Sequence, residues 1–329
     1  SSRLGDTYDR MEFAAMVSGT AWKPFAYRVL IPRTTLLIAD VTPKPWQKSI
    51  GNNFKGWLES SKFTKRALPW LAPLYEQDTY LRLVASLLVY GCLWGYIVAM
   101  YWLAKHLFPA EQAIHYFAPI FGMFAVTSFS WKWIYLYDIP VLCLSAACYW
   151  CIATKRFLPY IALFTLACLN KESCIFILFF FALWLFGRMD MKLFLALVIL
   201  QCVIYLAVRS LLYNAFLANP GWLLEVNIHK VLGRDIFGKS RYFQLVAISV
   251  IFFMLTFRWN EKPAFLKYGL WLLIPFYYIY VKHGFPGEYR VFHDIMPLMV
   301  LLLTHTLISG TGISQSPVFL PGKNGKDAP

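Results

Sequence analysis

Charge is scarce in this sequence. Only 15% of its 329 residues are Asp, Glu, Lys or Arg, and just 17 of them are acidic. A water-facing domain carries about 25% charged residues, so this chain cannot cover a solvent-exposed surface of its size. Metal-ligand motifs are also missing. Cys148 and Cys151 form a Cys-x-x-Cys, but with no second pair and no nearby histidine the ligand count falls short of a metal site. All seven cysteines (Cys92, Cys143, Cys148, Cys151, Cys168, Cys174 and Cys202) lie in apolar stretches, and nothing in their spacing implies a disulfide framework. There is no soluble domain and no internal repeat. The chain begins Ser-Ser-Arg without a Met or a visible signal peptide. A leading segment is therefore expected to have been removed or left out, and if that segment is a helix the topology count changes.

What is present is apolar. The sequence is 59% hydrophobic, with mean hydropathy +0.53. Aromatics make up 19%, and Trp70, Tyr101, Trp102, Trp131, Trp133, Trp222 and Trp259 sit next to segment ends, as interfacial belts do. The reading is an all-α, polytopic bundle of about nine to ten membrane segments. The formal net charge of +14 fits loops facing anionic lipid head groups. With no basic patch on a soluble domain, nucleic acid is not an expected partner.

Apolar runs suited to spanning helices occur near 83–104, 113–131, 136–154, 157–170, 173–187, 193–213, 243–257, 264–281 and 292–309. A span needs about 20 residues. The short runs 157–170 and 173–187 meet at Asn170-Lys171-Glu172, which suits either a tight helical hairpin or one long helix with a polar interruption. Residues 25–41 carry Arg28, Pro32 and Arg33 and read as an interfacial or re-entrant helix. The organisation is then an interfacial amphipathic region at 1–82, a membrane domain at 83–309 with an outer loop at 214–242, and a flexible tail at 310–329.

A charged side chain at membrane depth costs on the order of 3 kcal/mol or more and therefore faces a polar cavity, usually with a task. Asp138, Lys171, Glu172, Glu288 and Arg290 all lie inside or at the edge of apolar runs. With 1–82 outside, the inner loops hold Lys105, Lys155-Arg156, Arg188, Lys192, Arg258, Lys262 and Lys267, which the positive-inside rule favours. The basic residues of 1–82 oppose that orientation, although long loops obey the rule poorly. Under it, Asp6, Asp9, Glu12, Asp138, Lys171, Glu172, His283, Glu288, Arg290 and His293 share the outer face. Carboxylates with Lys and Arg suit a phosphate-bearing lipid substrate. Local roles compete with this. Asp138 before Pro140 is placed as a helix cap, Asp6 and Asp9 suit a helix N-terminus, and Lys171-Glu172 or Glu288 with Arg290 suit local ion pairs.

Several motifs carry a resemblance. They are Gly5-Asp6-Thr7-Tyr8-Asp9, Trp22 to Pro32, Tyr137-Asp138-Ile139-Pro140, Lys155-Arg156, Leu169-Asn170-Lys171-Glu172-Ser173, and Glu288-Tyr289-Arg290 running on to Met296-Pro297. Together they resemble the bacterial polytopic membrane glycosyltransferases of the GT-C fold. The resemblance implies inverting transfer of a hexose or pentose from a polyprenyl-phosphate carrier at the extracytoplasmic face of the inner membrane. It implies Asp6, with Asp9 one turn away, as the catalytic base or as ligand to a divalent cation. Arg28, Lys171 and Arg290 would hold the phosphate, while Glu172 and Glu288 orient those cations. Asp138 would position the acceptor or the Asp6 loop, and His283 joins the substrate-binding face. Partners would be the lipid-linked sugar donor, membrane lipids and partner membrane proteins. The chain departs from the pattern in having no helix before Asp6 and no soluble C-terminal domain. Three other functions compete: a non-catalytic GT-C-like subunit of a larger complex, a transporter of lipid-linked substrates, and an O-antigen-type ligase or polymerase.

Overall fold

The computed structural model describes residues 13–60, 79–130, 135–222, 226–233, 241–285 and 288–311. Their regular structure is all helical. Short helices α1 (Phe13–Ser18), α2 (Leu30–Val41) and α3 (Lys44–Ser60) precede the long α4 (Thr79–Leu107). Then come α5 (Gln112–Ser130), α6 (Asp138–Ala153), α7 (Phe157–Asn170), α8 (Ile175–Leu185) and α9 (Met191–Ala215). The chain continues through α10 (Ile228–Val231), α11 (Arg241–Thr256), α12 (Ala264–Gly269) and α13 (Leu273–His283) to α14 (Met296–Thr311). Three helical stretches, Thr79–Leu107, Met191–Ala215 and Ala264–His283, are long and apolar enough to cross a membrane.

The centre of the bundle is α6. Twelve of its sixteen residues are buried, because α4, α7 and α14 all pack against it. That environment explains its composition: Val141, Leu142, Leu144, Ala146, Cys148 and Cys151 leave no polar face for solvent. By contrast, only three of the 25 residues of α9 are buried. Its outer surface shows Leu195, Ile199, Val203, Leu206 and Leu211, and α11 likewise shows Val246, Phe252 and Phe253. Apolar contact surface on this scale is what a bilayer covers and water does not.

The two short runs around Asn170 form a hairpin. Phe181 of α8 lies against both Tyr160 and Phe157 of α7, with ring centroids 5.1 Å and 6.1 Å away, so the helices run back along each other. The reversal is made by Lys171, whose extended backbone (φ −157°, ψ 146°) ends α7, and by a 3-10 turn at Glu172–Cys174. At the open end of the hairpin the Lys155 ammonium reaches the Arg188 carbonyl at 3.4 Å. With a rise of about 1.5 Å per residue, α7 is about 21 Å long and α6 about 24 Å. Residues 30–41 form a helix of 12 residues, about 18 Å long.

A second, small core roofs the hairpin tip. Met16, Ala21, Ala26 and Tyr27 pack with Tyr137, Leu212 and Phe216. Backbone bonds tie it down: Lys23 N–H to the Pro220 carbonyl at 2.8 Å, and Val29 N–H to the Leu169 carbonyl at 3.1 Å. The Asn219 amide donates to the carbonyls of Gly19 and Ala21 at 2.8 Å each. Gly221 makes this approach with φ +91°, and a Cβ there would sit 2.9 Å from the Lys23 carbonyl oxygen.

Candidate functional site

Beneath that roof, charges from five distant stretches of chain meet. Asp138 begins α6 and is fully buried. One oxygen, Oδ2, accepts from the Tyr135 backbone N–H at 3.0 Å, a bond back to the turn that leads into α6. Tyr137 is the N-cap residue and no side chain caps the helix, so the capping role expected of Asp138 is not the one it plays. The other oxygen, Oδ1, faces the Arg290 guanidinium at 3.8 Å and His293 Nδ1 at 3.7 Å. Asp138 therefore pins the turn that enters α6 and balances charge from the turn Tyr289–Asp294 that precedes α14.

Arg290 is shared among four groups. It donates to Glu288 and, at 2.6 Å, to the Tyr137 hydroxyl. It also lies 3.7 Å above the Tyr135 ring. Tyr135 and Tyr137 stack with centroids 5.5 Å apart and planes within 2°. Arg28 covers Tyr137 at 3.9 Å and donates to Glu172 at 2.9 Å. Two arginines from ends of the chain more than 250 residues apart are thus organised by one tyrosine pair. Cation–π contacts contribute about 2 kcal/mol when desolvated, and planar guanidinium suits such stacking better than ammonium.

Glu172, at the hairpin tip, also faces Arg209 of α9 at 3.8 Å. Burial pulls its pKa upward, but Arg28 and Arg209 outweigh that and hold it at about 2. Its neighbour Lys171 turns the other way, to Asp294 at 3.8 Å. Asp294 also accepts from the Ser173 hydroxyl at 2.7 Å, and its carbonyl takes the Tyr149 hydroxyl at 2.9 Å. Asn170 fixes the tip by donating to the Tyr137 carbonyl at 3.1 Å.

Arg28, Asp138, Lys171, Glu172, Glu288 and Arg290 are therefore brought together. His283 closes α13, and its carbonyl accepts from the Asn227 amide at 3.4 Å. Asp6 and Asp9 lie outside the described residues, as does Glu12. Sequence reasoning passed over Arg209 and Asp294. Both are charges in or beside apolar runs, and the cost of burying charge that singled out Lys171 applies to them equally.

Four cations (Arg28, Lys171, Arg209, Arg290) face four carboxylates (Asp138, Glu172, Glu288, Asp294) here. The balance is incomplete at the level of hydrogen bonds. Nε and one terminal nitrogen of Arg28, Nε of Arg209 and Nε of Arg290 are buried without a hydrogen-bond partner among the described residues, and so are Asp138 Oδ1 and Glu172 Oε2. An unmade bond at a buried polar atom costs about 1–3 kcal/mol, and the unmade donors here, four against two acceptors, leave room for a ligand that brings acceptors. Among the described residues no group of three or more His, Cys, Asp or Glu could hold a metal ion.

Next to the tip, α8 leads into an apolar groove of about 360 Å³. Ile175, Phe176, Phe179 and Leu183 form one wall, and Trp271, Ile274 and Pro275 the other. The groove therefore starts two residues from Ser173. Compared with protein-family models, curated proteins and solved structures, the chain matches none.

Proposed function

We propose that this protein is an integral membrane glycosyltransferase of GT-C type, taking a sugar from a polyprenyl-phosphate carrier at the extracytoplasmic face of a bacterial inner membrane. In this reading the shorter apolar helices complete a bundle of nine to ten membrane segments around the three long ones. The observation that carries it is the convergence of Arg28, Lys171, Glu172 and Arg290 on one buried cluster with unfilled guanidinium donors. Guanidinium pairs phosphate oxygens bidentately, and the groove along α8 has the chemistry of a lipid tail.

The reaction would be a single displacement. A carboxylate, assigned to Asp6 by the resemblance, takes the proton from the acceptor hydroxyl. The hydroxyl oxygen bonds to the anomeric carbon as the bond from that carbon to the phosphate oxygen breaks. The lipid phosphate leaves with the electron pair, and Arg28 and Arg290 stabilise its charge. Glu172, Glu288 and Asp138 keep those cations in place.

One observation favours a second reading, a non-catalytic subunit with this scaffold: the cluster's four cations already face four carboxylates. One assay separates the two. The chain is reconstituted in nanodiscs and given a polyprenyl-phosphate-linked sugar with a membrane extract as acceptor source. Release of polyprenyl phosphate that disappears in Arg28→Ala supports transfer. No release above empty nanodiscs ends the enzyme reading.

A further inference from the structure

Two thiols bracket the hairpin tip. Cys168 lies in the last turn of α7 and Cys174 at the end of the 3-10 turn that opens α8, and their Sγ atoms are 3.3 Å apart. Both side chains are buried. The five residues between them include Asn170, Lys171, Glu172 and Ser173, all of which hold the charged cluster. Each cysteine is also tied to that cluster. The Cys168 carbonyl accepts from Arg209 at 2.6 Å, and Cys174 lines a small cavity with Asn170, Lys171 and Asp294.

Sulfurs this close, on segments running in opposite directions, need to approach by only about 1.2 Å to reach a disulfide's length of about 2.05 Å. The Cys-x-x-Cys pair cannot do this. Cys148 and Cys151 sit three apart on the continuous helix α6, where Cβ atoms stay about 5–6 Å apart, and a disulfide requires about 3.5–4.5 Å. Proximity therefore favours the hairpin pair over the sequence motif.

We propose that Cys168 and Cys174 form a modification site: a small disulfide oxidant converts them to an intramolecular disulfide that closes a loop around the hairpin tip. One cysteine, as thiolate, attacks a sulfur of the oxidant. The oxidant's S–S bond breaks, a mixed disulfide forms, and half of the oxidant leaves as a thiol. The second cysteine attacks the protein-bound sulfur of that mixed disulfide. The Cys168–Cys174 bond forms, and the other half of the oxidant leaves as a thiol. Two protein thiols are oxidised, one oxidant disulfide is reduced, and the two thiol protons pass to the leaving halves.

The sequence supplies its own assay. Trypsin cuts after Arg156, Lys171 and Arg188, so Cys168 falls in Phe157–Lys171 and Cys174 in Glu172–Arg188, each the sole cysteine of its peptide. The full chain, purified reduced in mild detergent, is treated with 4,4′-dipyridyl disulfide, alkylated with N-ethylmaleimide in denaturant and digested. The expected product is the two peptides linked, two hydrogens lighter than their sum, and separated again by dithiothreitol. The proposal is overturned if either peptide retains a pyridyl adduct, carries maleimide, or is linked to a different cysteine. It is overturned too if the link forms equally well in protein denatured before oxidation, since spacing alone would then explain it.

Discussion

The Arg28 guanidinium sits 3.9 Å above the Tyr137 ring and donates to Glu172 at 2.9 Å, joining the N-terminal roof to the hairpin tip 144 residues away. Removing one partner of such a pair strands the other. For fully buried pairs the loss is about 3–5 kcal/mol. Glu172 keeps 24% exposure, so Arg28→Ala or Glu172→Gln should each cost closer to 2 kcal/mol. A double-mutant cycle followed by thermal unfolding in detergent should show coupling of about 1 kcal/mol or more. Additive losses would mean that the pair contributes nothing.

Asp138 separates two roles by substitution. In Asp138→Asn the amide oxygen can still accept from Tyr135 N–H, while the charge facing Arg290 and His293 is gone. Asp138→Ala loses both. The alanine variant should be less stable than the asparagine variant by about 1 kcal/mol, the value of one hydrogen bond. If the chain transfers sugar as proposed, both variants should lose that activity. Equal stability of the two variants would mean that the bond to Tyr135 contributes nothing.

Acid should act through Glu172. Its folded pKa is about 2, against an ordinary 4.5. A carboxyl whose pKa falls on folding adds stability above its unfolded pKa, and that contribution drains away as pH falls through the folded value. The wild type should therefore lose its advantage over Glu172→Gln between about pH 4.5 and pH 2. Unfolding midpoints for both proteins across that window provide the check.

Gly221 is the tightest point of the roof. Its φ of +91°, and the 2.9 Å that would separate an added Cβ from the Lys23 carbonyl oxygen, leave no room for a side chain. Gly221→Ala should cost about 1–3 kcal/mol and loosen residues 13–28 selectively. Faster amide exchange there, with α6 unchanged, is the expected signature.

If the groove along α8 holds the tail of the proposed donor, it should discriminate donors by tail length. Narrowing it with Ile274→Trp should raise KM for a long polyprenyl donor several-fold and leave a short-chain analogue unaffected. An equal effect on both donors would place the tail elsewhere.

Much of this site was legible from the cost of charge in apolar sequence. That cost pointed to Asp138, Lys171, Glu172, Glu288 and Arg290 before any contact was visible, and the polar break at Asn170 located the hairpin turn. Pairing was legible for Glu288 with Arg290, which do bond each other, but not at the hairpin tip. Lys171 and Glu172 are adjacent in sequence, yet each bonds elsewhere, to Asp294 and to Arg28 with Arg209. An extended residue at position 171 throws successive side chains to opposite sides, which composition cannot reveal. Arg209 was hidden by the length of its apolar run, and the role of Tyr137 by its ordinariness. Asp6 and Asp9 fall outside the described residues, so the base assigned to them still rests on the resemblance alone.

The lengths of α6 and α7 carry a consequence for a chain that crosses the bilayer as proposed. From the rim marked by Lys155 and Arg188, about 21–24 Å of helix ends short of a hydrocarbon slab about 30 Å deep. The tip and the roof packed over it would then lie roughly 6–9 Å below the opposite head groups. A substrate's polar head would have to descend that far and part the roof to reach Arg28, while its tail stays level with the groove. Lipid chain length would then tune the enzyme, because a thicker membrane deepens the descent and a thinner one brings the tip closer to the surface.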